Sequence, residues 1–271
     1  MDRIKQALDK ARAERISDSG KQSSSNHSTD KAFDGVREGP ITYSQTRTTT
    51  VSQAVLRDNR VIFGDADRVG LAAYKMLRTQ VMQRMAAKGW NALAITSPTE
   101  QDGKTLTAVN LAISLARELH KTVLLVDMDL RNPCVGKYFG VETVKGISDH
   151  LLRGEPLSNV LVNPGIDRLV ILPGREHVEN SSEILASPAV GAMVGELKSR
   201  YPSRLVIFDL PPILLADDAL AFSPYVDAFV LVVRDGKTRK AMVEQAVGLM
   251  DGMSILGTVL NDVTENVPGY Y

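Results

Sequence analysis

The sequence predicts an α/β protein with a mostly parallel central sheet that helices cover on both faces. Short, continuously apolar runs alternate along the chain with longer segments of helical periodicity. Strands that are apolar at every residue are typical of a sheet buried on both faces. The apolar runs lie at 92–95, 123–126, 169–172, 205–208, 228–233 and 255–260. The helical patterns lie at 67–85, 106–119, 182–200 and 240–250.

The composition limits the possible classes of function. The chain has 271 residues and is 44% hydrophobic, which is ordinary for a globular protein. Basic and acidic residues number 32 each, so no overall field attracts nucleic acid, and we expect no nucleic-acid partner. The single cysteine, Cys134, excludes an internal disulfide. Because the sequence has neither a run of about 20 apolar residues nor an apolar N-terminal stretch, we expect a cytoplasmic protein.

The chain divides into four expected segments. Residues 1–16 have apolar residues at helical spacing and predict an amphipathic helix, either simply solvated or docking on a partner. Residues 17–60 are expected to form a flexible linker, because a polar composition buries too little surface to offset its ordering entropy. A globular domain is expected over 61–267, followed by a tail at 268–271 that ends in two tyrosines.

A phosphate-binding loop is predicted where the first apolar run ends. The segment TSPTEQDGKT at 96–105 joins this strand to a helical pattern that begins at Thr105. A helix start presents backbone N–H groups and the positive dipole end to phosphate oxygens. There Lys104 can reach the β- and γ-phosphates, and Thr105 can offer a hydroxyl to Mg²⁺. Pro98 replaces the first glycine of the general pattern, so the prediction also depends on the acidic residues that follow.

Two acidic residues follow the second apolar run. Asp127 and Asp129 are two residues apart, so they lie on the same side of an extended chain, and Arg131 continues this spacing. One carboxylate could hold Mg²⁺ while the other accepts a proton from an attacking hydroxyl. The alternative is that these acids only cap the end of a strand.

The run at 205–208 also ends in an acid. Asp209 is positioned to hold the metal through water. Asp217 and Asp218 lie in the following loop, and we interpret them as acids at the N-terminus of a helix.

Together these motifs resemble those of the bacterial tyrosine autokinases of capsule and exopolysaccharide synthesis, soluble type. That family consists of P-loop proteins related to the cell-division and partitioning ATPases. The matching segments are 97–105 as Walker A, 123–131 as the additional Walker A′ motif and 207–212 as Walker B. The resemblance implies a P-loop NTPase fold, with ATP and Mg²⁺ as cofactors.

The resemblance also implies a role for each residue of the site. The catalytic residues would be Lys104, Arg131 and Asp127, with Asp127 as the base that activates a tyrosine hydroxyl. The Mg²⁺ ligands would be Thr105, Asp129 and, through water, Asp209. The nucleotide contacts would come from Gln101, Asp102, Gly103, Lys104, Thr105, Leu106 and Asn261.

The C-terminal tail and the partners follow from the same resemblance. Tyr270 and Tyr271 would be phosphorylated in trans by a neighbouring subunit of a homo-oligomer, and an exposed tail behind a Pro-Gly pair can reach that site. Alternatively, these tyrosines have no role. A membrane polysaccharide co-polymerase would activate the chain and hold it at the inner membrane.

The chain departs from the family pattern, which leaves two other functions open. Glu100-Gln101 replaces Pro-Gly, and a positive φ at Gln101 would cost about 1–2 kcal/mol, or about tenfold in affinity. The chain could therefore be a kinase-inactive P-loop ATPase that acts as a nucleotide-switched scaffold. Ala72 replaces a glutamate linked to ring assembly, which weakens the expected subunit contact. A partitioning or positioning ATPase is the third possibility, although no lysine lies between 90 and 103 as is usual there.

Overall fold

The computed structural model describes residues 46–64, 67–118, 121–201 and 203–263. The predicted helix at 1–16, the first part of the predicted linker, and the tail with Tyr270 and Tyr271 lie outside these residues. Within the described ranges, no helix is both long enough and apolar enough to span a bilayer.

The described residues form one eight-stranded sheet. Its strands are β1 (Arg47–Thr48), β2 (Ala92–Thr96), β3 (Thr122–Asp127), β4 (Val162–Asn163), β5 (Leu169–Leu172), β6 (Arg204–Asp209), β7 (Ala228–Arg234) and β8 (Ile255–Asn261). Their order is β1-β4-β5-β3-β6-β2-β7-β8, and only the β4–β5 pair is antiparallel. All six predicted apolar runs are strands, which confirms the mostly parallel sheet.

Helices connect most of the strands. They are α1 (Gln53–Asp58), α2 (Arg68–Lys88), α3 (Lys104–Ala116), α4 (Val135–Tyr138), α5 (Ile147–Arg153), α6 (Leu157–Val160), α7 (Ser181–Leu185), α8 (Pro188–Ser199), α9 (Asp218–Phe222) and α10 (Lys240–Leu249), with a 3₁₀ turn at Ser223–Tyr225. The single helix predicted over 182–200 is two helices. Ser187 caps the second by accepting from the Val190 N–H, and Pro188 begins it, so the chain restarts there.

The two faces of the sheet contribute to two separate cores. Successive residues of β2 alternate between them, because side chains of a strand point to opposite faces. Ala92 and Ala94 join the core that contains Phe208 and helices α7 to α10. Leu93 and Ile95 join the core beneath α2 and α3. Helix α3 lies almost wholly inside the domain, with eleven of its residues buried, so its N-terminus is firmly placed at the end of β2.

The part of the predicted linker that the structure describes, 46–60, belongs to the folded domain. Strand β1 pairs with β4 at the edge of the sheet, and Leu56 of α1 is 3% exposed in the core that contains α3. Asn59 donates hydrogen bonds to the carbonyls of Lys137 and Tyr138 in α4. The predicted boundary at residue 60 is therefore wrong. Composition missed this segment because few apolar residues anchor it and the remaining contacts are polar.

Candidate active site

Asp102 shapes the predicted phosphate loop. Its Oδ2 accepts hydrogen bonds from the N–H and the hydroxyl of Thr99, each at 2.9 Å. Its Oδ1 accepts from the Thr238 hydroxyl at 2.7 Å, and the residue is 2% exposed. Both carboxylate oxygens are thus used within the protein. A nucleotide contact from Asp102 would therefore come from its backbone.

Two residues of the loop have left-handed backbone conformations. Gln101 has φ 61°, so it does adopt the positive angle considered for it from the sequence. Gly103 has φ 93° and is the N-cap residue of α3. A Cβ at Gly103 would lie 2.0 Å from Nδ2 of Asn261, which itself donates to the Asp102 carbonyl at 2.9 Å. The positive φ and this close approach favour glycine here, and Asn261, the last residue of β8, contacts the loop.

Lys104, the first residue of α3, lies between two carboxylates. Its Nζ is 2.7 Å from Oδ2 of Asp129 and 3.6 Å from Oδ1 of Asp209. The Thr105 hydroxyl donates to Oδ2 of Asp209 at 2.5 Å. Burial lowers the pKa of Lys104, but the charges of Asp209 and Asp129 outweigh that effect, so its pKa lies above the usual value. Lys104 is therefore held as a cation within the acidic cluster.

Parallel register explains why these residues meet. Strand β6 lies between β3 and β2, and Asp127 pairs with Asp209 across the β3–β6 ladder. The carboxyl ends of parallel strands share one edge of the sheet, and α3 begins at this same edge after β2. The motifs at 96–105, 127–131 and 209 are consequently brought to one place.

Asp127 is fully buried and only half satisfied. Its Oδ2 accepts hydrogen bonds from the N–H groups of Cys134 and Val135, each at 2.9 Å. Its Oδ1 has no hydrogen-bond partner among the described residues. Burial, followed by the charge of Asp209, raises the pKa of Asp127 to about 7. A carboxylate with a raised pKa, one anchored oxygen and one oxygen without a hydrogen-bond partner in the described chain is suited to accept a proton.

The donor set fits Mg²⁺. Thr105, Asp129 and Asp209 offer hard oxygen ligands, and Oδ1 of Asp209 is a second buried oxygen without a hydrogen-bond partner in the described residues. Burial raises the pKa of Asp209 to about 6, although Lys104 and the Thr105 hydroxyl oppose that shift. In the described part of the chain, no three His, Cys, Asp or Glu side chains form a complete metal site.

Two predicted site residues lie at the border of this cluster. The Nε of Arg131 donates to Oδ1 of Asp218 at 3.0 Å, and the Arg131 side chain is 40% exposed. Leu106 lies half-buried in the first turn of α3. The structure thus brings the predicted residues of the described chain to one edge of the sheet, while their individual roles stay predictions.

Sequence reasoning missed several residues around the site. A cavity of about 570 Å³ beside the loop is lined partly by Arg234, Lys237 and Arg239, and Arg234 donates to the Gln101 carbonyl at 3.3 Å. Arg234 ends the apolar strand β7, the same signal that identified Asp127 and Asp209. Cys134 lies with Sγ 3.5 Å from the Thr105 hydroxyl, and burial raises its pKa to about 12, so the thiol stays protonated.

The comparisons with known proteins agree on one family. Residues 93–268 match the CobQ/CobB/MinD/ParA nucleotide binding domain. The tyrosine-protein kinase CpsD of Streptococcus agalactiae is 32% identical over 200 residues, which cover 73% of this chain and 85% of the relative. The tyrosine-protein kinase YwqD of Bacillus subtilis is 32% identical over 193 residues, 69% of this chain and 79% of the relative.

A solved structure supports the same assignment. The kinase domain of the Escherichia coli tyrosine kinase ETK is 26% identical and superposes with a TM-score of 0.68, covering 86% of this chain and 93% of that one. The fold, the nucleotide-binding loop and these relatives agree with one another. The chain therefore belongs to the CobQ/CobB/MinD/ParA nucleotide-binding family and, within it, to the bacterial tyrosine-protein kinases.

Proposed function

We propose that this chain is a protein-tyrosine kinase that transfers the γ-phosphoryl group of ATP to a tyrosine hydroxyl. The observation that carries the proposal is Asp127, a buried carboxylate in the same cluster as Lys104, Thr105 and Asp209, whose Oδ1 has no hydrogen-bond partner among the described residues. A phosphate-binding loop alone would serve many reactions. A half-satisfied carboxylate beside it supplies the proton acceptor that transfer to a hydroxyl needs.

The loop and the start of α3 bind the phosphates. Their backbone N–H groups and the helix dipole attract the negative charge, and the Lys104 ammonium adds a cation with three donors. Thr105, Asp129 and, through water, Asp209 would hold Mg²⁺, which neutralises charge on the β- and γ-phosphates when bound. Side chains of this chain carry out the proton transfer.

Asp127 acts as the base. The tyrosine hydroxyl gives its proton to Oδ1 of Asp127, and the phenolic oxygen forms a bond to the γ-phosphorus. The bond from that phosphorus to the β–γ bridging oxygen breaks, and ADP leaves. The N–H groups of Cys134 and Val135 hold the other carboxylate oxygen in place throughout, so the base needs no reorganisation.

The acceptor tyrosines are Tyr270 and Tyr271 of a second copy of the chain within a homo-oligomer. The kinase regulates exopolysaccharide or capsule polymerisation and export. A membrane polysaccharide co-polymerase activates it and holds it at the inner membrane. Residues 1–16 dock on that partner. The names of the relatives support the kinase activity; the partner and the tail follow from the resemblance of the motifs.

Mass mapping of phosphate on the full chain tests the proposal. We expect phosphotyrosine at 270 or 271 after incubation with Mg-ATP and the cytoplasmic part of the co-polymerase, and its loss in Asp127→Asn and Lys104→Met. Mixing Lys104→Met with a Tyr270→Phe/Tyr271→Phe chain tests transfer in trans, because only the first variant then carries acceptors. Undiminished labelling of Lys104→Met alone would disprove the assigned site.

One observation favours the scaffold as a second candidate. Gln101 has φ 61° in the loop, where a glycine would meet no steric penalty. A nucleotide-switched scaffold would bind ATP and associate with its partner, but it would give no phosphotyrosine in the experiment above.

A further inference from the structure

Asp218 is a buried carboxylate that the proposed chemistry leaves without a role. It is the first residue of α9 and is 0% exposed. Its Oδ1 accepts from Nε of Arg131 at 3.0 Å, and its Oδ2 has no hydrogen-bond partner among the described residues. The N-cap residue of α9 is the neighbouring Asp217, which is exposed. Interpreting Asp218 as a simple helix N-terminal acid is therefore insufficient, because a cap does not require a buried charge.

The contact with Asp218 uses a small part of the Arg131 guanidinium. Arginine carries five N–H donors in a planar fork, and Asp218 takes only the one on Nε. Within the described chain no other partner of this guanidinium is found, and the side chain remains 40% exposed. The two terminal nitrogen groups are thus restrained in orientation and still available to an anion.

The backbone around Arg131 is also fixed. The Arg131 carbonyl lies 2.6 Å from Nδ1 of His177, and the Leu130 carbonyl accepts from the Val178 N–H at 2.9 Å. The Arg131 side chain is therefore restrained at its backbone and at Nε. An arginine that only balanced a surface charge would not require this restraint.

Asp218 is itself tied to the phosphate-binding edge of the sheet. The connection from β6 to α9 begins at Asp209, and its Ile213 N–H donates to the Ser97 carbonyl at 2.9 Å. Phe222 of α9 packs against Phe208 of β6, with ring centroids 5.0 Å apart. The connection therefore joins Asp209, at the end of β6, to Asp218, the partner of Arg131.

From this geometry we infer that Asp218 is a positioning residue that orients the terminal nitrogens of Arg131 toward the phosphoryl group during transfer. The inference rests on the proposed function and adds a residue to the same site. A correctly oriented guanidinium stabilises the charge that spreads over the transferring group more than it stabilises bound ATP. Loss of the orientation should therefore slow transfer and leave nucleotide affinity nearly unchanged.

A double-mutant cycle on the full chain tests this coupling. The variants are Asp218→Asn, Arg131→Ala and their combination, with Asp217→Asn as the matched exposed control. We expect Asp218→Asn to lower the single-turnover rate at saturating Mg-ATP about 10- to 100-fold, with the Kd for Mg-ATP within about threefold of the original. In the Arg131→Ala background the same change should alter the rate less than about twofold.

Several outcomes would overturn the inference. An unchanged rate in Asp218→Asn would do so, and so would an equal loss in both backgrounds, because Asp218 would then act without Arg131. An equal loss in Asp217→Asn would indicate a general charge effect. Arg131→Lys provides a variant that keeps a cation beside Asp218 but not the planar fork. Its rate should also fall about 10-fold or more, and a full rate would mean that the pair only neutralises charge.

A measurement without catalysis separates this inference from the proposed kinase activity. If the unmodified chain transfers no phosphate, the proposed function fails. The restraint of Arg131 by Asp218 is then tested by NMR of the Arg131 Nε–H. We expect hydrogen exchange of that proton to accelerate about 10-fold or more in Asp218→Asn and to stay unchanged in Asp217→Asn. Equal exchange in all three proteins would show that Asp218 does not restrain Arg131.

Discussion

Aspartates lie at both ends of the central sheet, and the two groups differ in burial, hydrogen-bond partners and pKa. At the amino end, Oδ2 of Asp227 accepts from the N–H groups of Asn91 and Ala92, and its Oδ1 pairs with Lys198 at 2.7 Å. At the carboxyl end, Asp127 and Asp209 are fully buried, and each keeps one oxygen without a hydrogen-bond partner among the described residues.

The pKa values follow the same division. Burial raises the pKa of Asp127 to about 7 and that of Asp209 to about 6. Burial also opposes ionisation of Asp227, but Lys198 and the two N–H groups outweigh it, so its pKa lies below the usual value. The difference separates a carboxylate that stabilises the fold from two carboxylates whose ionisation is opposed by burial. The two classes predict opposite responses to the same Asp→Asn substitution.

The largest expected effect is on catalysis at the carboxyl end. Asp127→Asn removes the proposed proton acceptor but keeps the shape of the side chain. We expect phosphate transfer to fall about 100- to 10,000-fold. Quench-flow kinetics with Mg-ATP would measure this, and calorimetry should give an ATP affinity close to the original. Transfer within about threefold of the original would place the base elsewhere.

The same substitution should stabilise the fold. The folded-state pKa of Asp127 is raised above its ordinary value of 3.8 to about 7, so ionisation of Asp127 favours unfolding as pH rises through this window. Without nucleotide or Mg²⁺, Asp127→Asn should therefore be more stable than the original chain at pH 8, and the difference should vanish below about pH 4. Urea unfolding across this pH range would measure it. A less stable variant at pH 8 would contradict the division between the two ends.

Asp227→Asn should behave in the opposite way. It weakens charge-assisted hydrogen bonds to Lys198, Asn91 and Ala92, and we expect a loss of about 2 kcal/mol in the free energy of unfolding at pH 7. Because the folded-state pKa is depressed, this contribution is present above the ordinary value of 3.8 and is lost as pH falls through the folded pKa. Urea unfolding at pH 7 and at acid pH would measure it. Kinase activity should be unchanged, and a catalytic defect would refute a purely structural role.

The smallest effect concerns backbone strain at the carboxyl end. Gln101→Gly removes about 1–2 kcal/mol of left-handed strain. The substitution also gives the unfolded chain more conformational entropy, which lowers the free energy of unfolding by about 0.5–1 kcal/mol. We expect a net gain in unfolding free energy of up to about 1.5 kcal/mol. Glu100→Gly, one position earlier and outside the left-handed region, is the control and should be destabilising. Equal changes in the two variants would mean that Gln101 is not strained.

Much of the site was predictable because short-range rules determine it. Continuous apolar runs predicted six strands, and the polar residues that end them, Asp127, Asp129 and Asp209, predicted which edge would carry the chemistry. Parallel strands end on one edge whatever their order, so these motifs had to converge. The loop with Gly103 and Lys104 was predictable for the same reason, because it directly follows the apolar run that forms β2.

Only the tertiary structure decided which polar groups are satisfied. Asp102 precedes Lys104 in the loop, yet Thr238 and Thr99 use its carboxylate as a structural acceptor. The sequence predicts that Asp218 is an ordinary acid at the N-terminus of a helix. In the structure it is buried and accepts a hydrogen bond from Arg131, 87 residues away. The composition of 46–60 predicts a linker because few apolar residues, among them Leu56, anchor it in the core, and its other contacts include hydrogen bonds to distant parts of the chain. Local sequence determines where a strand ends, but burial and partners depend on long-range packing, which no local pattern encodes.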